Sequence, residues 1–255
     1  MKLLKNNWVP PTSFEEKIKH IFIPHKLYIR RLVLKEWIKG RTDIKFLKYL
    51  TNKNLSSIDV GAYKGVYTYF ISKYSKKVYA FEPNPKSYKI LKKTVNSNVK
   101  VFPYAVSDKS SFDSLKIPKG RKGYSNQGGS IRNVKLDVNY GIVKVETKKI
   151  DDLNLKDIGF IKIAAEGAEL KVLIGAKKLI KKYKPTLFIE IEERYISQSI
   201  EKTLKTILNF GYRGFALIGE TLTPLKFFDG DINHRIHNGP NFHANAFIFF
   251  DLKKK

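Results

Sequence analysis

From Ser56 onward, short runs rich in β-branched and aromatic residues alternate with longer amphipathic runs, and this alternation is the strongest constraint on the fold. It predicts strands at residues 58–60, 78–81, 99–102, 160–163 and 186–191. It predicts helices at residues 66–74, 86–96, 169–183 and 199–210. Alternation at βαβ spacing indicates an α/β fold with a mostly parallel, doubly wound sheet, which binds ligands at the carboxyl ends of its strands.

The end of the sequence predicts two further strands, at residues 214–218 and 242–250, joined by a polar segment at 220–240. An antiparallel pair that closes the sheet fits this spacing. We expect one domain over residues 55–255, because a chain of 255 residues that is 42% hydrophobic can bury one large core.

Residues 1–54 have a different pattern and are predicted to form a helical extension. Ser13 and Glu16 form a capping box that starts one helix, and Pro24 ends it. A second helical pattern runs over residues 27–38 and stops before Gly40, with lysines and arginines between its apolar positions. The favoured interpretation is a helical cap packed on the main domain; the alternative is peripheral contact with an anionic membrane.

The composition limits the cellular environments and the reactive groups that are possible for this chain. The chain has no cysteine, which excludes disulfides, zinc–thiolate sites and thiol nucleophiles. It has no apolar run of the ~20 residues that a membrane helix needs, so we expect a cytoplasmic protein that is at most membrane-peripheral. The net charge of +26 attracts nucleic acid, anionic lipid or an acidic glycan, although a compositional bias toward lysine gives the same excess.

A glycine-containing turn follows the first predicted strand, within Asp-Val-Gly-Ala-Tyr-Lys-Gly at 59–65. Gly61 permits a tight turn with close backbone approach to a ligand, and Gly65 lets the next helix pack nearby. The dinucleotide pattern Gly-x-Gly-x-x-Gly is absent, so a bound pyrophosphate is not favoured. The turn indicates a nucleoside cofactor that carries an ammonium and a carboxylate.

The second predicted strand ends at Glu82, about 20 residues beyond the glycines, where a carboxylate is expected to accept hydrogen bonds from ribose hydroxyls. Pro83 follows it at once, which favours a positioned ligand group over a solvated helix cap. The third strand leads to Ala105 and Ser107, which we expect beside the adenine pocket.

Four motifs occur in order: Asp-Val-Gly-Ala at 59–62, Ala-Phe-Glu-Pro at 80–83, Ala-Val-Ser-Asp at 105–108 and Ile-Lys-Ile-Ala-Ala-Glu-Gly-Ala-Glu at 161–169. With His-Ala-Asn-Ala-Phe at 243–247, they resemble the FkbM family of methyltransferases over about residues 56–250. The resemblance implies a Rossmann-like class I methyltransferase fold with an antiparallel last strand, S-adenosylmethionine as cofactor, and O-methylation of a sugar, glycan or similar polar molecule. The expected cofactor-binding residues are Asp59, Gly61, Ala62, Tyr63, Gly65, Glu82, Pro83, Ala105 and Ser107.

One position departs from the family pattern Ile-Lys-Ile-Asp-x-Glu-Gly, because Ala164 stands where the family has Asp. A carboxylate there could act as general base, orient the acceptor or bind a metal ion, and alanine can do none of these. Either the natural protein tolerates the loss or the chain carries an engineered, inactivating substitution. The intact neighbours Lys162, Glu166 and Gly167 favour the second explanation.

Other candidates complete the expected site. The expected catalytic residues, beside the Ala164 position, are Lys162, Glu166, Glu190 and His243. Glu190 and Glu192 are candidate ligands for Mg²⁺ or Mn²⁺, although glutamates that end a strand often pair with lysines. The Gly-rich segment 119–130 has the composition of a mobile loop over the substrate or of a plain surface loop.

Two other functions compete with this hypothesis. An RNA-directed methyltransferase is suggested by the +26 charge, but the Asn/Asp-Pro-Pro-aromatic motif of many base methyltransferases does not follow Ile163. A non-catalytic cofactor-binding scaffold is suggested by Ala164. The retained Asp59, Gly61 and Glu82 argue against it, since a decayed enzyme has no need of them.

Overall fold

A computed structural model describes residues 8–12, 22–120, 123–124, 139–235 and 244–252. The helix predicted to start at Ser13 lies almost wholly outside the described residues, as do His243 and most of the Gly-rich segment 119–130. Among the helices in these ranges, none combines the length and apolar character needed to span a bilayer.

The elements follow in chain order. The first half contains α1 (His25–Ile38), α2 (Thr42–Leu50), β1 (Ser56–Val60), α3 (Val66–Lys73), β2 (Val78–Phe81), α4 (Pro85–Thr94), β3 (Val99–Phe102), β4 (Ala105–Val106), β5 (Ser111–Gly120) and β6 (Gly123–Tyr124). The second half contains β7 (Tyr140–Lys148), β8 (Ile158–Ile163), α5 (Glu169–Gly175), α6 (Lys177–Tyr183), β9 (Thr186–Glu190), α7 (Ile200–Leu208), β10 (Tyr212–Ile218), β11 (Thr221–Pro224) and β12 (Ala246–Asp251).

The central sheet has eight strands in the order β11-β10-β12-β9-β8-β1-β2-β3. The five strands from β9 to β3 are parallel, whereas β12 pairs antiparallel with both β9 and β10. The predicted α/β class, with a mostly parallel sheet and an antiparallel last strand, is confirmed. The strand order runs outward from β1 through β2 to β3 and then resumes on the other side of β1 with β8. The carboxyl ends of β1, β2 and β8 therefore lie beside a crevice, and folds of this kind bind ligands in that crevice.

Both faces of the sheet are covered, as its apolar strands require. On one face, Ile161 and Ile189 join a large cluster with α5, α6 and α7. On the other face, Phe160 and Phe188 pack with residues of α2 and α3. Neighbouring residues of a strand point to opposite faces, which is why Phe160 and Ile161 belong to different clusters.

Predicted and observed boundaries agree closely in the parallel part. The strands predicted at 78–81 and 99–102 have the observed bounds, and the others differ by a few residues. The helix predicted at 169–183 is instead two helices that meet at Ala176, and α2 was not anticipated. The polar segment 220–240 contains β11, a short edge strand paired with β10.

A second sheet was also missed by the sequence analysis. Strands β4, β7, β5 and β6 form a four-stranded sheet inserted between β3 and β8. Its two long strands, β5 and β7, alternate buried residues with more exposed ones. Leu115, Ile117, Val143 and Val145 belong to its small core. Lys119 and Gly120, expected to lie in a loop, belong to β5.

The helices of the N-terminal extension pack on the outside of the sheet. Ile44 and Leu47 of α2 are almost fully buried against α3. In α1, Ile29 is buried and Val33 contacts the same cluster. In the described part of the extension predicted at residues 1–54, α1 and α2 thus pack on the main domain.

Candidate functional site

A cavity of about 620 Å³ opens at the carboxyl ends of β1, β2, β8 and β9. This volume lies within the ~300–1,000 Å³ typical of small-molecule sites. The expected site residues that line it are Gly61, Ala62, Tyr63, Glu82, Pro83, Ala105, Lys162, Ala164, Glu166 and Glu190. The structure therefore brings together most of the expected site residues that it describes.

The turn after β1 supplies one wall of the cavity. Gly61 has φ +74°, and a Cβ atom at this position would lie 2.0 Å from the carbonyl oxygen of Ala164. The backbone amides of Gly61 and Ala62 both donate to the carbonyl oxygen of Phe81. Only glycine allows the turn to approach β8 this closely.

Glu82 connects the ends of β1 and β2. Its Oε2 accepts a hydrogen bond from the amide of Tyr63 at 2.7 Å, and its Oε1 accepts one from the amide of Asn84 at 2.8 Å. Burial raises the pKa of this carboxyl to about 7, although both amides and Lys162 oppose the rise. Each carboxylate oxygen has a second lone pair with which to accept a ligand hydroxyl.

Asp59 lies beneath the cavity and does not line it. Its side chain is fully buried, and Oδ2 accepts a hydrogen bond from the hydroxyl of Thr68 at 2.6 Å. Oδ1 has no hydrogen-bond partner among the described residues, but it lies 3.6 Å from Nζ of Lys162. Asp59 therefore holds α3 and the lysine in place and is a positioning residue.

Lys162 reaches from β8 into a group of polar side chains around Asp59, Glu190 and Tyr67, which we call the polar cluster. Only 2% of its side chain is exposed, and Nζ lies 3.5 Å from Oε2 of Glu190 and 3.3 Å from the carbonyl oxygen of Gly61. Nζ also lies 4.7 Å from the ring centre of Tyr67. A buried ammonium needs such compensation because desolvation of a charge is costly.

Three residues of this cluster were missed by the sequence analysis. The hydroxyl of Tyr67 accepts a hydrogen bond from Arg41 at 2.7 Å and lies within hydrogen-bond distance of Asp43 and of Glu190. Burial and the charges of Glu190 and Asp43 raise the pKa of Tyr67 well above its usual value, so the phenol stays protonated. Arg41 and Asp43 come from the extension, far from every motif, and no local pattern marks them.

The segment after β8 carries Ala164 and Glu166. The amide of Ala164 donates to the carbonyl oxygen of Val60, so this segment continues the β1–β8 pairing. Glu166 has φ +47°, a conformation that non-glycine residues rarely adopt. Burial, followed by the charges of Glu169 and Glu190, raises the pKa of Glu166 to about 7.

Besides Asp59, three expected site residues lie outside the cavity wall. A Cβ atom at Gly65 would lie 2.7 Å from Leu91, so this glycine serves helix packing, as expected for it. The carbonyl oxygen of Ser107 packs against Gly175, away from the cavity. Glu192 accepts a hydrogen bond from Asn245 at 3.0 Å.

The metal-site hypothesis receives no support. Within the described ranges, no group of three or more histidine, aspartate or glutamate side chains is arranged to hold an ion. Glu190 is instead paired with Lys162 and Tyr67.

His234 has a structural role. The amide of Glu193 donates to its Nε2 at 3.1 Å, so Nδ1 carries the proton and donates to the carbonyl oxygen of Ala244 at 2.7 Å. The side chain is buried and fastens the start of β12.

Comparison with known protein families identifies one match. The family model described as the methyltransferase FkbM domain matches residues 59–213. No curated protein matches the chain significantly.

Three solved structures illustrate the similarity. An FkbM methyltransferase from Methylobacillus flagellatus is 15% identical with a TM-score of 0.49; the match covers 89% of this chain and 55% of that one. A TehB-like SAM-dependent methyltransferase from Corynebacterium glutamicum is 11% identical with a TM-score of 0.47, covering 89% and 97%. An rRNA methylase from Streptococcus thermophilus is 12% identical with a TM-score of 0.44, covering 84% and 96%.

This chain thus spans about half the length of the Methylobacillus protein. The family match covers more than half of the 255 residues and includes both the turn at Gly61 and the carboxylate of Glu82. The chain belongs to the FkbM family of methyltransferases.

Proposed function

We propose that this protein transfers a methyl group from S-adenosylmethionine to a hydroxyl oxygen of a sugar, glycan or similar polar small molecule. The observation that carries the proposal is that a single cavity is lined by Gly61 and Glu82 and also by Glu166 and Glu190. Cofactor-binding groups and acid–base groups thus face the same space.

The cofactor side of the cavity fits S-adenosylmethionine. Glu82, held by the amides of Tyr63 and Asn84, can accept hydrogen bonds from ribose hydroxyls. Phe81, Pro83 and Ala105 offer apolar contacts for the adenine, and the turn at Gly61 leaves room for the amino-acid end. When bound, the cofactor supplies an electrophilic methyl group.

The acceptor side supplies polar contacts. Glu190, held in place by Lys162 and Tyr67, offers a hydrogen-bonding group to an acceptor rich in hydroxyls. Holding the acceptor oxygen in line with the methyl group supplies proximity and orientation, a large part of the catalytic effect in such transfers.

Glu166 is the residue we assign to proton removal. Its carboxylate takes the hydroxyl proton as the oxygen attacks, and its pKa of about 7 suits a general base at neutral pH. His243, the other expected base, lies outside the described residues, so its role stays a prediction.

Ala164 limits the rate in this proposal. The family's aspartate would place a second carboxylate on the cavity wall, beside Glu166. Without it, proton removal and acceptor orientation rest on fewer groups, and we expect slow turnover. Ala164 also favours a second function, that of a scaffold that binds the cofactor without catalysis.

The decisive experiment compares the present chain with Ala164→Asp. S-adenosylhomocysteine binding is measured by calorimetry, and methyl transfer is measured over a panel of sugars and glycans. We expect both proteins to bind, and Ala164→Asp to react faster by about 10²-fold or more. Ala165→Asp, which adds a carboxylate one position later on the same wall, is the matched control and should give no such gain.

The outcomes separate the proposals. Binding without transfer by either protein would support the scaffold, and absence of binding would contradict both functions. A requirement for RNA in the reaction would favour the RNA-directed alternative. Loss of Ala164→Asp activity in EDTA would indicate that the restored carboxylate works with Mg²⁺ or Mn²⁺ and not as a base alone.

A further inference from the structure

The outer face of α1 exposes large apolar side chains. Leu27 is 54% exposed, Leu34 58% and Ile38 73%. Their spacing of seven and then four residues places them on one side of the helix. Isolated exposed apolar residues are ordinary, but an aligned row on one helix requires an explanation.

Arginines share this face. Arg30 and Arg31 are exposed and lie between Leu27 and Leu34 in the helical repeat. The only acidic residue of α1 is Glu36, which lines the cavity and pairs with Lys39. The outer face therefore combines apolar and cationic groups and carries no carboxylate.

The inner face fixes the orientation of the helix. Ile29 is buried, Val33 packs against the core cluster beneath it, and Leu32 lines the cavity. Because this face is held by the protein, the helix cannot turn its apolar row inward. Leu27, Leu34 and Ile38 face outward as part of the fold.

We propose that this outer face of α1, formed by Leu27, Arg30, Arg31, Leu34 and Ile38, binds the surface of an anionic lipid bilayer. The apolar side chains enter the boundary between headgroups and acyl chains, and the guanidinium groups pair with lipid phosphates. The net charge of +26 adds long-range attraction to such a surface.

Charge also argues against other occupants. A second copy of this chain would carry the same +26 charge and would bring its arginines against Arg30 and Arg31 in a two-fold contact. A nucleic acid would use the arginines, but its phosphate backbone gains nothing from Leu34 or Ile38. An anionic bilayer uses both kinds of side chain.

The same segment lines the cavity through Leu32, Lys35 and Glu36. A docked α1 would hold the cavity within about one helix diameter, ~10 Å, of the bilayer. This would suit an acceptor hydroxyl carried by a lipid-linked molecule. That consequence rests on the proposed function, whereas binding to the bilayer does not.

Sedimentation with vesicles tests the proposal. The chain is mixed with vesicles of phosphatidylglycerol and phosphatidylcholine, or of phosphatidylcholine alone, and the bound fraction is measured. We expect binding to the anionic vesicles only. Leu34→Glu with Ile38→Glu should weaken this binding about ten-fold or more.

The matched control makes the same charge change elsewhere. Phe112→Glu with Phe227→Glu replaces two apolar residues of similar exposure, 64% and 67%, on other surfaces. We expect it to bind vesicles nearly as well as the unaltered chain. Circular dichroism and calorimetry with S-adenosylhomocysteine check that all variants are folded, and those readouts do not depend on methyl transfer.

A second pair of variants separates the two contributions. Arg30→Gln with Arg31→Gln should weaken binding more than Lys181→Gln with Lys182→Gln, which removes two exposed charges from α6. No binding to anionic vesicles, or equal losses in test and control variants, would overturn the proposal. The proposal would also be overturned if vesicle binding depended on the arginines and not on Leu34 and Ile38. A protein surface that binds nucleic acid would behave in that way.

Discussion

Gly61 and Ala164 touch across the two central strands, so closely that a Cβ atom on Gly61 would lie 2.0 Å from the carbonyl oxygen of Ala164. Gly61 also has φ +74°, which disfavours any side chain. The turn that we assign to the cofactor is therefore fixed by the segment after β8, which carries the proposed acceptor side of the cavity. In the proposed function, cofactor binding and acceptor positioning depend on this one contact.

Replacing this glycine tests the contact. We expect Gly61→Ala to lower the free energy of unfolding by more than ~1 kcal/mol, because the backbone must shift as well as adopt a strained φ. We also expect weaker binding of S-adenosylhomocysteine, since the turn would move away from β8. Denaturant unfolding and calorimetry measure the two effects.

Gly40→Ala is the matched control. Gly40 has a nearly identical φ of +72°, but no atom of the described residues lies within 4 Å of the position that its Cβ would take. The Gly40→Ala variant therefore measures the cost of the backbone conformation without the cost of the clash. Equal losses in the two variants would show that the contact with Ala164 has no importance of its own.

Glu82→Gln tests the ribose-binding assignment. The amide keeps the size of the side chain, but its NH₂ group would face one of the two backbone amides that now donate to the carboxylate. We expect affinity for S-adenosylhomocysteine to fall by about 1.5–3 kcal/mol, the usual value for hydrogen bonds to a charged group. Calorimetry checks this, with the exposed Glu220→Gln as control; unchanged affinity would remove Glu82 from the cofactor site.

The parallel part of the fold could be predicted because its strands are buried on both faces and read as apolar runs. The proposed cofactor side of the cavity followed from the same signal, since Gly61 and Glu82 come directly after two such strands. Their position on one cavity depends only on neighbouring parallel strands ending at the same edge.

The parts of the fold and site that were not predicted depend on contacts between residues that are distant in sequence. Tyr67 looks like an ordinary core aromatic, and its role appears only when α2 brings Arg41 and Asp43 beside it. The second sheet was missed because β5 and β7 are separated by an insertion whose composition suggests a loop. The break between α5 and α6 at Ala176 leaves no signal in the sequence, since both segments have a helical pattern.

The raised pKa of Glu166 predicts a pH dependence of stability. The folded protein holds this proton up to about pH 7, whereas the ordinary pKa of the side chain is 4.5, so the folded state binds more protons between these values. The contribution of Glu166 is therefore fully present below about pH 4.5 and is lost as the pH rises to about 7. Relative to Glu166→Gln, which cannot titrate, the unaltered chain should lose stability over this range.

Urea unfolding of both proteins at a series of pH values measures the difference. Glu82 is also expected to titrate in this range, but it is present in both proteins and cancels in the comparison. A difference that does not change with pH would show that Glu166 is not shifted by its surroundings. Its assignment as a general base would then lose its support.

Lys162 is expected to hold the polar cluster together. Lys162→Met keeps much of the side-chain volume but leaves Asp59 buried without its counter-charge, since Oδ1 of Asp59 has no hydrogen-bond partner among the described residues. Breaking a buried ion pair by removing one partner typically costs ~3–5 kcal/mol, and we expect a loss of this size in urea unfolding.

A double variant distinguishes lost charge compensation from lost packing. Asp59→Asn in the Lys162→Met background removes the stranded charge, while Glu190 keeps Tyr67 and Arg41 as partners. We expect the double variant to be more stable than Lys162→Met alone, because the loss comes chiefly from an uncompensated carboxylate. If the two losses simply add, Lys162 and Asp59 are not energetically coupled, and the buried lysine serves the cavity through Glu190 alone.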